Sequence, residues 1–391
     1  MRSFRIGRLF GIPLELDLTF LLVLPIFAWL IGSEVGQWVG ILNRLWTVNL
    51  DAAALTTGAI PWILGLAAAL GLFAGIVLHE LGHSLVAAHF GFPIESITLW
   101  VLGGIAKLTE QPEDWRQELY IALAGPGVSV LLGGLFFGVL FVIPSDFHVL
   151  RFLAGYLSLV NVAIAGFNLL PGFPMDGGRV LRAVLARNRP FARATQLATK
   201  VGKAMAIIMG ILGLFSLNFF LIAIAFFIYI GASSEAQRTT LKAIFEGVSV
   251  GDVMTEAESV HTVSPDQTVE ELLDRMFRER HTGYPVIEDD QVVGMVTLDD
   301  AREVPAVERE AYLVSDIMST DLQTIPEYSD VSDALDRMQQ AGIGRLIVVD
   351  AQGNLTGLLS RTDLMTAFEI MKERGGITGE SSPEERLDNI D

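Results

Sequence analysis

The sequence predicts a chain of two unlike parts. The first is a polytopic α-helical membrane domain of about six transmembrane helices with a small membrane-associated β segment; the second is a cytoplasmic α/β module made of two repeats. Three observations predict this. Apolar runs occur at about 18–32, 60–90, 118–143, 150–170 and 204–232, and the mean hydropathy is positive at +0.48. Charge is divided: residues 1–246 carry 16 Lys/Arg against 14 Asp/Glu, a net of +2, and residues 247–391 carry 11 against 31, a net of −20. The two sums restore the total of −18. Finally, Asp274-Arg275-Met276 recurs as Asp336-Arg337-Met338, 62 residues later, within a longer echo.

Composition also excludes several functions. There are no cysteines, so neither part uses disulfides or thiolate metal ligands. The acidic half argues against nucleic acid, whose phosphates need Lys/Arg partners. The basic start lacks a small-residue cleavage site after the first apolar run, so no cleaved signal peptide is expected.

A span needs about 20 residues to cross the hydrocarbon. The last run holds about 29 residues around Ser216-Leu217-Asn218, and with residues 192–203 lending length to its first part it reads as two spans hinged there. Arg2, Arg5 and Arg8 precede the first span, which places the N-terminus in the cytoplasm. Alternation then puts 33–59 and 144–149 outside, with 91–117, 173–203 and everything after 232 inside. The 177–203 loop agrees, since Arg179, Arg182, Arg187, Arg189, Arg193, Lys200 and Lys203 meet no acidic residue there.

In the soluble part, Val253-Met254-Thr255, the amphipathic stretch 268–276, Tyr284-Pro285-Val286-Ile287 and Gly294-Met295-Val296-Thr297 form one unit. Its echo is Ile317-Met318-Ser319, 330–338, Leu346-Ile347-Val348-Val349 and Gly357-Leu358-Leu359-Ser360. Each reads as a strand, a helix, two short strands and a closing helix.

The chemistry lies in His79-Glu80-Leu81-Gly82-His83, inside the 60–90 run. Residues four apart share a helix face, so both imidazoles can bind one metal while Glu80 sits one step round. Two imidazoles and a carboxylate buried unpaired in a membrane cost several kcal/mol, so a pair of mere core histidines is disfavoured. A catalytic zinc needs a third protein ligand and an open position for water. His89 lies six residues after His83, but Val86 stands where the longer motif needs a glycine turn. Asp176 is the better candidate: it follows Pro171-Gly172-Phe173-Pro174-Met175 and precedes Gly177-Gly178, a helix break at membrane depth. Such irregular backbone is tolerated only when buried in protein or lining a wet cavity. The depths agree as well, because His83 lies about eight residues, or about 12 Å, above the inner end of its helix. A turn-forming Asp before Gly-Gly is the competing reading.

An HExGH helix followed downstream by Asn168-Leu169-Leu170-Pro171 and Asp176-Gly177 resembles the site-2 protease family of intramembrane zinc metalloproteases over about residues 1–235. The resemblance implies His79, His83 and Asp176 as ligands of one Zn2+, Glu80 as the general base that activates water, and Asn168 holding the substrate or the developing oxyanion. Met175 stands where that family often has Leu. It also implies a membrane-protein substrate, cut in or near a transmembrane segment, such as a membrane-held regulatory protein in regulated intramembrane proteolysis. A substrate helix must unwind first, and residues 91–108 alternate enough to offer it a strand edge.

The acidic part resembles a tandem pair of CBS domains, at 246–305 and 312–371, before a Gly/Glu/Ser-rich tail at 372–391 that is expected to be disordered. That resemblance implies adenine-nucleotide contacts at Thr297 and Asp300 in the first repeat, and at Ser360, Thr362 and Asp363 in the second. Asp299 stands where the first repeat would need the equivalent of Thr362, which makes the second site the more competent. It further implies nucleotide control of the protease or homodimer formation; purely structural turns are the alternative. Two other readings remain open: a CBS-regulated membrane transporter or channel, and a catalytically inactive zinc-binding sensor.

Overall fold

The computed structural model describes residues 3–100, 103–108, 112, 114–289, 291–352 and 354–373. The chain divides into two compact units, Met1–Gln237 and Arg238–Asp391.

The first unit opens with a hairpin where the sequence showed only a basic start: β1 (Ser3–Leu9) and β2 (Ile12–Asp17) pair antiparallel. Asp17 then caps α1 (Leu18–Ser33), its Oδ1 accepting from the Thr19 N–H at 2.9 Å and the Thr19 hydroxyl at 2.6 Å. Those bonds hold its carboxyl below the usual carboxylate range. The stretch 33–59, expected outside, is largely helical, with α2 (Val35–Trp46) and α3 (Ala52–Thr56). Val35, Val39 and Leu42 repeat at helical spacing and are buried against Leu64, Ala68 and Phe152.

Next comes α4 (Ile60–His89), which with a proline in its first turn and Gly91 at φ +89° beyond its end is delimited by ordinary start and stop signals. At 30 residues it is about 45 Å long, more than a bilayer core. Its backbone meets α1 directly: a Cβ on Gly65 would lie 2.2 Å from the Ala28 carbonyl oxygen and 2.8 Å from the Gly32 Cα. Small residues let membrane helices approach this closely.

β3 (Ile94–Trp100) and β4 (Gly103–Leu108) pair antiparallel, and β3 joins β2 in parallel, giving a sheet ordered β1-β2-β3-β4. The expected β segment at 91–108 is therefore half of a four-stranded sheet, with β4 at one end. Then follow α5 (Trp115–Val142), α6 (His148–Asn168), α7 (Asp176–Ala186), α8 (Phe191–Phe215) and α9 (Phe219–Ile244). The α8–α9 break falls at the expected hinge, whereas the cationic 177–203 stretch is not a loop: it is α7 plus the start of α8. Among the described residues five helices, α4, α5, α6, α8 and α9, are long and apolar enough to cross a membrane, giving six crossings if α1 and α2, bent by 67°, form one. Exposed Leu131, Val142, Phe215 and Phe220 suit a lipid surrounding better than water.

In the second unit the repeat is plain: α10 (Val269–Glu279), with β6 (Gly283–Glu288), β7 (Gln291–Thr297) and α11 (Leu298–Glu303) after it, is echoed by α13 (Val331–Ala341), β9 (Arg345–Val349), β10 (Leu355–Ser360) and α14 (Arg361–Glu373). The expected leading strands are shorter: β5 is only Thr255–Glu256, and Ile317 ends the short α12 (Val314–Ile317), ahead of β8 (Thr324–Pro326). Each leading segment pairs with the other repeat. β5 lies on β10, and Ser319 exchanges two backbone hydrogen bonds of 2.9 Å with Met295 in β7. Helix α14 reaches Glu373, so residues 372 and 373 of the expected tail are helical, and the rest of it lies outside the described residues.

Candidate metal centre

His79 and His83 stand one turn apart on α4, both buried. Asp176 is the first residue of α7, reached by a loop that is locked backbone to backbone. A Cβ on Gly177 would lie 2.2 Å from the Leu170 carbonyl oxygen, and one on Gly178 would lie 2.6 Å from the Phe173 nitrogen. The loop has no room to drift, so Asp176 is delivered to a fixed place. There its Oδ2 lies 3.1 Å from Nε2 of each histidine, and the two Nε2 atoms are 3.2 Å apart.

The opposite ring nitrogens decide what those atoms are. His83 Nδ1 lies 2.6 Å from the Ile121 carbonyl oxygen, which can only accept, so Nδ1 carries the proton and Nε2 presents a lone pair. His79 Nδ1 is 2.9 Å from the Ser129 hydroxyl. Convergence of the His83 nitrogen lone pair on a carboxylate oxygen at about 3 Å is repulsive without a cation between them. Ligand atoms on a tetrahedral zinc, at about 2.0–2.1 Å from the metal, stand roughly 3.3 Å apart. The observed spacings match that edge.

Space for an ion comes from Gly125 on α5, where a Cβ would lie 2.2 Å from His83 Nε2 and 2.7 Å from His79 Nε2. Ile121, Gly125 and Ser129 are spaced by four, forming one stripe that orients both rings and leaves room between them. Sequence reasoning missed this stripe; its trace was Gly125-Pro126-Gly127 within an apolar helix.

The other expected residues fall as follows. Glu80 is half-buried on α4, and a Cβ on Gly104 of β4 would lie 2.5 Å from its Cγ, so the sheet end abuts the carboxylate. Asn168 is the last residue of α6, half-buried, with no side-chain hydrogen bond among the described residues. His89 is exposed at the end of α4, edge-on to Phe90, and outside the cluster. Arg182, read from sequence only as a topological charge, is buried on α7 between the Phe173 and Phe191 rings, its guanidinium carbon 4.9 and 4.7 Å from their centroids. Its Nε donates to Glu118 of α5 at 2.7 Å, and it also pairs with Glu235 of α9. A buried pair of this kind is costly to break, so it pins the helix that carries Asp176.

In the second unit the expected nucleotide residues form helix caps. The Thr297 hydroxyl donates to Asp300 Oδ2 at 2.6 Å, and the Ser360 hydroxyl to Asp363 Oδ2 at 2.7 Å. Thr362 is exposed at the start of α14.

A family model described as Peptidase family M50 matches residues 67–153 and 145–209. One described as CBS domain matches 250–306 and 314–370. Among curated relatives, the zinc metalloprotease MJ0392 of Methanocaldococcus jannaschii is 35% identical over 95% of this chain and 97% of its own length. Rip3 of Mycobacterium tuberculosis is 29% identical over 94% of this chain and 93% of its own. Among solved structures, a site-2 protease from Methanocaldococcus jannaschii is 35% identical, covering 60% of this chain and 95% of that one at a TM-score of 0.41. With 35% identity spanning nearly the whole of both chains, this chain belongs to peptidase family M50, the site-2 protease family of zinc metalloproteases, and carries a tandem CBS pair.

Proposed function

We propose that the chain hydrolyses a peptide bond in or near a transmembrane segment of a membrane-bound regulatory protein. The observation that carries this is the convergence of His79, His83 and Asp176 to within 3.2 Å, with Glu80 beside them, on helices apolar enough to lie in a bilayer. Bound there, zinc would acidify a water and polarise the scissile carbonyl. Glu80 takes the proton of the attacking water and passes it to the departing amine nitrogen. Asn168, whose carboxamide has no side-chain hydrogen bond among the described residues, donates to the carbonyl oxygen as it gains charge. An ion path explains less well why the carboxylate of Glu80 stands between two such histidines.

The test is metal removal in bilayers. A membrane-permeant chelator abolishes cleavage of a helical substrate, and equimolar zinc restores it; cleavage that persists without metal would sink the reading.

β4 ends its sheet beside Glu80, which supports its use as the edge on which an unwound substrate pairs. Residues along β4 alternate between facing β3 and facing outward. Single proline substitutions through 103–108 therefore impair cleavage at outward-facing positions while zinc stays bound. Uniform tolerance at those positions would dismiss the docking role.

With α1 and α2 counted as one crossing, the N-terminus and the CBS pair lie in the cytoplasm. Adenine-nucleotide control through the CBS pair is the remaining part of the proposal. One cation supports it: Arg345, at the position equivalent to Gly283, reaches across the repeats to donate to the Thr282 hydroxyl at 2.7 Å, within the field of Asp363. A guanidinium there suits a phosphate.

A further inference from the structure

Both histidines of the acidic half, His261 and His281, meet at one carboxylate, that of Glu279. They arrive from separate segments. His261 precedes Val263, whose backbone is clamped to β6 by bonds with Pro285 and Ile287 at 3.1 and 3.0 Å. Glu279 is the last residue of α10, and Arg280, at φ +60°, turns the chain back so that His281 returns to its side. A left-handed Arg costs about 1 kcal/mol or more, so the turn is held by its surroundings.

The geometry is that of a donor set with its own support. His261 Nδ1 is 2.8 Å from Glu279 Oε2, and the two imidazole centroids are 5.1 Å apart. One nitrogen from each histidine and a Glu279 oxygen all lie within 4.8 Å of one another. The carboxylate is steadied from behind: the Tyr284 hydroxyl donates to Oε2 at 3.0 Å and Arg275 Nε to Oε1 at 2.9 Å. Tyr284 is only 1% exposed, so that support is rigid. The side chains of His261 and Glu279 are 49% and 26% exposed, so ions can reach them.

We propose that His261, Glu279 and His281 form a second divalent-cation site, for an ion of the zinc class, on the first CBS repeat. Two imidazoles and one carboxylate are a borderline-metal donor set, and three ligands leave a position open to water. Carboxylates oriented by outer partners are typical of such sites. The surrounding half carries a net charge of −20, which raises the local concentration of cations. Its residues are more exposed to competing water than those of the buried membrane cluster, so this ion binds the more weakly of the two. Once bound, it ties the end of α10 to the segment that reaches β6 through the Val263 bridge, bracing the first repeat according to metal supply.

The test counts zinc on the full-length chain in detergent, stripped with a chelator and titrated with zinc chloride. Wild type holds two equivalents. Asp176→Ala, which removes a ligand of the membrane cluster, keeps the weaker one. His281→Gln loses the weaker one, its affinity falling at least about 10-fold, and His261→Gln, at a half-exposed position, does the same. A single equivalent on wild type, or a second equivalent that survives both histidine substitutions at undiminished affinity, overturns the site.

Discussion

Glu80→Gln leaves zinc in the membrane unit and lowers peptide-bond cleavage by about 10²–10⁴-fold. The two side chains are nearly isosteric, so packing against the end of β4 is kept while the proton acceptor is lost. The ligand atoms of His79, His83 and Asp176 are untouched, because Glu80 is not one of the three residues whose ligand atoms cluster. Cleavage of a labelled helical substrate in proteoliposomes, together with zinc content on the same preparation, reads both sides of the claim. Loss of zinc together with activity would make Glu80 a structural or ligating residue. Undiminished cleavage would remove it from the reaction, and a change in ion flux with no cleavage at all would favour a transport protein.

The second large effect is expected at a residue with no side chain. Gly125→Ala empties the membrane metal site and abolishes cleavage, with zinc affinity falling at least about 100-fold, the upper end of what loss of outer support costs. The added methyl would sit 2.2 Å from His83 Nε2, inside the position an ion would take. The rings cannot swing aside, since Ser129 and Ile121 of the same helix hold their far nitrogens. Alanine is a better helix former than glycine by about 1 kcal/mol, so α5 itself does not suffer. Gly134→Ala is the control on the same helix, as its Cβ would meet nothing within 4 Å. Equal zinc content in the two variants would refute the account of the cradle.

Much of this is legible in the amino-acid sequence, for identifiable reasons. His79 and His83 declared themselves by spacing and by sitting in an apolar run, where an unpaired imidazole is expensive. Asp176 was marked by prolines and glycines that no membrane helix tolerates idly. The α5 stripe was not legible, because a backbone carbonyl, a glycine and one serine carry no charge pattern. Arg182 was hidden among six other cations that a topology argument already explained. The β1–β2 hairpin was there in the alternation of Phe4, Ile6, Leu14 and Leu16 with arginines and Glu15, but the arginines were read for orientation only. His261 and His281 are 20 residues apart and fit no motif; only the turn at Arg280 brings them together.

The exchange of leading segments between the CBS repeats has a consequence for biosynthesis. Because β5 pairs with β10, in the other repeat, the strand that opens the first repeat leaves the ribosome unpartnered and must wait about a hundred residues for its neighbour. Chains cut off between the repeats therefore present an unsealed sheet margin, the kind of surface that proteases and holding chaperones engage.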